Sequence, residues 1–209
     1  MPFMPLTQRS LTRAAHRLAR ADETLGAILD RHGPPPLWAR PPGFPTLLHI
    51  ILEQQVSLAS AKAIFERVAA SLTPLTPHTV MTAGEPHLRS LGLTRQKAAY
   101  CVHAACAIAD GSFSLDALAE LDDDEALGHL MRLKGIGPWS AEIYLLMAQL
   151  RADVWPAGDL ALATAMMKTK RLRRRPDTAK LRAMAEPWRP YRSVAARMLW
   201  QSYLYGDKS

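Results

Sequence analysis

The chain has 209 residues, enough for one large globular domain or two small lobes sharing a core, and its 48% hydrophobic residues exclude global disorder. Its 26 Lys+Arg against 19 Asp+Glu leave a formal net charge of +7, a surplus that favours a polyanionic partner, nucleic acid before membrane. Two cysteines, Cys101 and Cys106, cannot frame a disulfide scaffold or supply the four thiolates of an iron–sulfur cluster. No apolar run approaches the eighteen or so residues of a membrane span, and no secretory apolar segment stands at the amino terminus, so a soluble intracellular protein is expected.

Taken in chain order, helix signals recur and strand signals hardly appear. Residues 7–19 and 22–32 place apolar and basic positions at helical spacing and close at Gly33 and the prolines 34–36. Pro45 opens a helix over "TLLHIILEQQ" that is expected to stop near Val56, and Ser57 caps the next, "LASAKAIFERVAASL". Thr76-Pro77 and Ser114 mark further starts, with Gly92 and Gly111 as stops. Helical segments follow at about 94–110, 122–133, 138–150, 159–170, 177–185 and 190–205. The fold class is all-α, with ten to twelve short helices, and the Pro-rich stretch 33–45 is a stiff connector.

The stretch "LKGIGPWSAEIYLL" (133–146) reads as a tight hairpin feeding a helix. Gly135 and Gly137 allow a turn that a β-carbon would forbid, and Pro138 suits a first helical position. Amides of such a turn, with a helix dipole behind them, suit a phosphate and grip a nucleic-acid backbone without reading sequence. Carbonyls in the same turn could hold a monovalent cation. An ordinary tight corner between helices would look the same locally. Twenty residues on, "PAGDLAL" puts Asp159 at the N-cap of a helix. That position satisfies backbone amides, and it also fixes an ionised carboxylate where a developing cation could be stabilised.

These two stretches, with "ILEQQVSLASAKAIFERV" (51–68), "LGLTRQKAAY" (91–100) and "WRPYRSVAARMLW" (188–200), resemble the helix–hairpin–helix (HhH-GPD) DNA glycosylase superfamily. The likeness runs from about 44 to 205 and is to its 3-methyladenine DNA glycosylase II, AlkA-like, branch. The resemblance implies a two-lobed helical fold with the active-site cleft between the lobes. It implies one catalytic domain over 1–209 with the hairpin motif at 131–150. Larger members carry an extra amino-terminal α+β domain. Here only about forty residues precede the matched region, so a compact form is expected, with the early helices packed against the last ones.

The activity implied is excision of alkylated purines, 3-methyladenine and 7-methylguanine, from double-stranded DNA after base flipping. Deaminated or etheno-modified bases are alternative substrates, and a non-catalytic damaged-DNA-binding module is the alternative of another class. Asp159 matches the family's catalytic aspartate. Bifunctional members place a lysine where this chain has Trp139, so monofunctional hydrolysis without lyase activity is expected. Trp139 and Trp200 would line the base pocket, where an indole face attracts a cationic base; a helix tryptophan also serves readily as core. Ile143 stands where relatives often have a pocket tyrosine, with Tyr144 beside it.

The resemblance puts Gln55, in "EQQVS", at the wedge that fills the gap left by the flipped base; a helix C-cap glutamine with a solvent-facing side chain is the alternative. Phosphate contacts are expected at Gly135, Gly137, Trp139 and Lys134, and at Arg171 and Arg173 in the basic run "KTKRLRRR" (168–175). The carbonyls of Met131, Leu133 and Ile136 are candidate ligands for a structural Na+ or K+; no other cofactor is expected. Arg192-Ser193 could position the last helix or a phosphate. Trp38, Trp155 and Trp188 are expected in core or rim packing, and the seven histidines show no metal-ligand spacing. A monomer in the cytoplasm or nucleus, bound to damaged DNA and not to membrane, completes the expectation.

Overall fold

The computed structural model of the protein describes residues 4–206, and among these all regular structure is helical. The helices are α1 (Gln8–Ala21), α2 (Glu23–His32), α3 (Phe44–Glu53), α4 (Leu58–Ser71), α5 (Pro77–Ser90), α6 (Arg95–Ala109), α7 (Asp123–Leu130), α8 (Pro138–Met147), α9 (Leu160–Thr169), α10 (Thr178–Ala185) and α11 (Arg192–Tyr205). Two 3-10 stretches, Asp116–Glu120 and Glu186–Trp188, join them. Most starts are set by side-chain caps: Ser57, Thr76, Thr94, Asp122, Asp159 and Asp177 each accept from an amide of the first turn. Each such cap is worth about 1 kcal/mol. No helix is long and apolar enough to cross a membrane.

The described residues form two compact units. The first, within 40–144, is centred on α3, whose Phe44, Leu47, Leu48, Ile50, Ile51 and Leu52 are buried and which packs on α4 and α6, with α5 against α6. The second combines 4–39 with 145–206 and is organised around α11, which packs against α1, α2 and α9. Residues 193–201 of α11 are all buried. Among them Arg197 is fully enclosed, yet its guanidinium donates to the carbonyls of Leu37 (2.8 Å), Ser193 (3.1 Å) and Leu146 (2.7 Å). Burial lowers its pKa to about 10, still far above neutrality, so the cation is retained and ties three backbone segments together. The early helices do pack on the last one.

Three expectations about elements are corrected. α3 ends at Glu53, not near Val56, because Gln54 turns to extended ψ and Gln55 takes φ +57. The helix expected from Ser114 is only the 3-10 turn Asp116–Glu120. α5 is broken inside at Gly84 (φ 70), two residues before Pro86, whose ring cannot follow an uninterrupted helix.

Candidate functional site

In the first unit the hairpin runs from the end of α7 through 131–137 into α8. Leu133 takes the amide of Ile136 (3.0 Å), closing the turn, while the amides of Gly135 and Gly137 have no acceptor among the described residues. The two glycines do different work. Gly135 has φ +88, and a β-carbon there would land inside the ring of Tyr100. Gly137 has an ordinary φ and open space where a β-carbon would stand, so the expectation that both are needed to make the turn holds only for Gly135. What Gly137 contributes is a bare amide that a ligand can approach closely. Lys134 is exposed and Trp139 is half-buried in the first turn of α8.

The turn that follows α3 is tied to this hairpin. Gln54 Nε2 donates to the carbonyl of Gly135 (2.8 Å) and to Ser140 Oγ (2.9 Å), and Lys97 Nζ donates to the carbonyl of Leu52 (2.7 Å). Burial holds the Lys97 pKa below its ordinary value. Gln96 Nε2 meets the hydroxyl of Tyr100 (2.6 Å), fixing the ring that covers Gly135. Beyond Gln54 the side chains of Gln55, Val56 and Leu58 are exposed, and the left-handed backbone at Gln55 costs about 1 kcal/mol for a residue with a β-carbon. Gln54, Lys97 and Tyr100 were not singled out from sequence, since nothing local marks a glutamine as a cross-link to a turn far along the chain.

Ile143 and Tyr144 belong to the interior of this unit. They are 3% and 1% exposed, and the Tyr144 hydroxyl accepts from the amide of Gly43 (2.9 Å). Burial raises the Tyr144 pKa, and the Gly43 amide partly offsets this. Both are enclosed by the packing of this unit. Met131 is exposed, and the carbonyls of Met131, Leu133 and Ile136 all lie on the hairpin, with Leu133 already accepting one bond. Carbonyl oxygens are hard donors and fit a monovalent cation, whereas Gly135 is occupied by Gln54. Among the described residues no His/Cys/Asp/Glu group could hold a metal.

In the second unit, Asp159 is the N-cap of α9. The turn before it is closed by its amide on the Pro156 carbonyl (3.0 Å). Its Oδ1 accepts the amide of Leu162 (2.8 Å) and the indole N–H of Trp200 (3.0 Å). Asp159 is half-buried and Trp200 is 6% exposed. The carboxylate is thus oriented from two directions, by the helix it starts and by α11. Leu160, the next residue, is 70% exposed, which keeps this helix end at the surface.

The other basic and aromatic candidates separate. Arg171 and Arg173 are exposed, whereas Lys170 in the same run pairs with Asp22 (2.8 Å). Arg192 is held by Asp153 through Nε (3.0 Å) and by the Asp153 carbonyl (2.7 Å), and buried Ser193 bridges the backbone of Val154, so this pair positions α11. Trp155 and Trp188 pack edge to face in the core at 5.5 Å, and Trp38 is half-buried.

Residues 48–190 match the family described as "HhH-GPD superfamily base excision DNA repair protein". The Bacillus subtilis protein YfjP is 28% identical over 187 residues, 86% of this chain; the chain spans 65% of YfjP's own length. DNA-3-methyladenine glycosylase 1 of Schizosaccharomyces pombe is 27% identical over 205 residues, 95% of this chain and 90% of that one. The fold resembles that of the Clostridium acetobutylicum 8-oxoguanine glycosylase/lyase solved with double-stranded DNA. The TM-score is 0.77 at 20% identity, over 91% of this chain and 68% of that one.

Proposed function

The chain belongs to the HhH-GPD superfamily of base excision DNA repair proteins, and from that membership we propose that it is a monofunctional DNA glycosylase for alkylated purines. The observation that carries this reading is the carboxylate of Asp159, fixed at a helix start by Leu162 and Trp200. The target nucleotide leaves the stack because its glycosidic bond is out of reach inside it. As that bond breaks, its electron pair leaves with the base and positive charge grows on the sugar. An oriented carboxylate stabilises the sugar cation and positions a water whose oxygen bonds to C1′ while its proton passes to the carboxylate and on to solvent, giving an abasic site and the free base.

The hairpin amides of Gly135 and Gly137 supply a phosphate grip, Gln55 the wedge, and Arg171 and Arg173 further backbone contacts. Trp139 offers an indole face to a cationic base. It also stands where a lysine amine would be needed for an imine, and this supports hydrolysis without strand cleavage. A monovalent cation on the carbonyls of Met131, Leu133 and Ile136 would reinforce the phosphate grip by its charge. The alkylpurine class is supported by the Schizosaccharomyces pombe relative.

The test is excision from duplexes carrying 3-methyladenine, 7-methylguanine, a deaminated base or an etheno base, wild type beside Asp159→Asn. Release of the methylated bases by wild type, with a loss of at least about a hundredfold in the variant at unchanged duplex affinity, is expected. Full turnover by the Asn variant overturns the mechanism, release of only the deaminated or etheno bases overturns the substrate class, and a borohydride-trapped adduct overturns the monofunctional reading.

A further inference from the structure

Helix α1, outside the residues assigned to catalysis, carries a second basic surface. Its sequence QRSLTRAAHRLARA holds four arginines and a histidine and no carboxylate. Leu11, Ala14, Ala15 and Leu18 face the core, which leaves Arg9, Arg13, His16, Arg17 and Arg20 exposed in a row. From Arg9 to Arg20 the row rises about 16 Å, close to half a turn of duplex DNA. Arg13, His16, Arg17, Arg20 and Ala21 line an open depression of about 580 Å³. The Arg17 guanidinium lies 5.7 Å over the Tyr191 ring, which holds it in place at small entropic cost.

The carboxylate that ends α1 does not neutralise this row. Asp22 is engaged by the amides of Thr24 and Leu25, by the indole of Trp188 (3.1 Å) and by Lys170 Nζ (2.8 Å). That last contact brings in the basic run 168–175 from far along the chain. Lys170 spends its charge on Asp22 and pins the run against the end of α1. Arg171, at φ +51, then turns the chain, and Arg171, Arg173, Arg174 and Arg175 are exposed. The acidic residue that follows, Glu23, is exposed at the start of α2 and has no ion pair among the described residues.

We infer that α1 and the 171–175 loop form one continuous basic ridge, joined at the Asp22–Lys170 pair, and that the ridge binds the phosphate backbone of duplex DNA. The lining favours a phosphodiester backbone over an acidic protein: the depression is lined by three arginines, one histidine and one alanine, with no large apolar anchor of the kind that holds protein interfaces. The ridge rests on the reading of this chain as a DNA-acting enzyme and extends it from Arg171 and Arg173, already proposed as backbone contacts, to α1, which holds none of the proposed site residues.

The experiment measures binding to an undamaged duplex of about three helical turns across a salt series, for wild type, R13Q/R17Q/R20Q, R13Q/R20Q and R13K/R17K/R20K. Circular dichroism and thermal melting check that the fold is kept. The slope of log K against log salt is expected to fall by about three for the triple Gln variant and about two for the double, with binding on the order of tenfold weaker, while the Lys variant keeps the wild-type slope. R171Q/R173Q should lower the slope by a further two or so when combined. Unchanged slopes in folded α1 variants overturn the ridge, including the case in which an acidic protein binds them instead. Excision of methylated bases is read in parallel. Its absence with a lowered slope defeats the glycosylase proposal and leaves the ridge, whereas normal excision with an unchanged slope does the reverse.

Discussion

The hairpin of the first unit and the Asp159 end of the second are built from opposite materials. At the hairpin the groups proposed to work are backbone: amides at Gly135 and Gly137, in a turn whose shape depends on the lack of a β-carbon at Gly135. Side chains there act as braces, Gln54 holding the Gly135 carbonyl and Tyr100 covering the turn. Around Asp159 the group proposed to work is a side chain, and both the backbone amide of Leu162 and the indole of Trp200 brace it. A surface that grips any phosphate needs no particular side chain, only exposed amides at fixed spacing. A surface that stabilises one developing charge needs one carboxylate with its orientation held.

This contrast makes the hairpin sensitive to backbone and the Asp159 region sensitive to single atoms. The largest effect is expected at the first glycine. Gly135→Ala forces a positive φ on alanine and drives its methyl into Tyr100, so the melting temperature should fall by about 5–10 °C, with duplex affinity down more than about tenfold. Gly137→Ala, with room for its methyl, should melt within about 2 °C of wild type and weaken only duplex binding. Equal melting of the two variants would erase the distinction between shaping glycine and presenting glycine.

Next comes Trp200→Phe, which keeps an aromatic ring in the core but gives up part of the indole's area and the N–H to Asp159 Oδ1. Excision kcat should fall by roughly ten- to a hundredfold while duplex affinity stays within about twofold. A change in affinity with unchanged kcat would make Trp200 a packing residue alone.

The smallest effect concerns the brace under the basic ridge. Burial pushes the Asp22 carboxyl up, but Lys170, the Leu25 amide and the Trp188 indole outweigh it, and its pKa lies below the ordinary 3.8. A depressed carboxyl stabilises the fold above its unfolded pKa, and that contribution is lost as pH falls through the lower folded value. Asp22→Asn should therefore melt a few degrees lower at neutral pH, with the gap to wild type narrowing below about pH 4. A gap that is constant with pH would mean that the pair contributes by packing and not by charge.

Helix positions were legible because their signals are local. Caps at Ser57, Thr76, Thr94 and Asp159 and the prolines at 77 and 138 mark starts with little help from the rest of the chain. The end of α3 was misread because Gln54 is a competent helix residue in isolation. Its amide instead finds a carbonyl and a hydroxyl 81 and 86 positions away, and the chain turns to reach them. The orientation of Tyr144 is not a local property either: an aromatic on a hairpin helix can face either way, and a partner 101 positions away, the Gly43 amide, holds this one inside the unit.

By itself the sequence determined the all-helical class, the hairpin with Trp139 in the first turn of its second helix, and the N-cap aspartate at 159. Each of these depends on residue identity and short spacing. Tertiary structure alone decided which glycine shapes the turn, that Trp200 bonds Asp159 across 41 positions, and that Lys170 is spent on Asp22 across 148. The reason is physical. A cap or a turn satisfies backbone groups within one helical turn, whereas the partner of a long side chain is set by which distant segment the core brings alongside it.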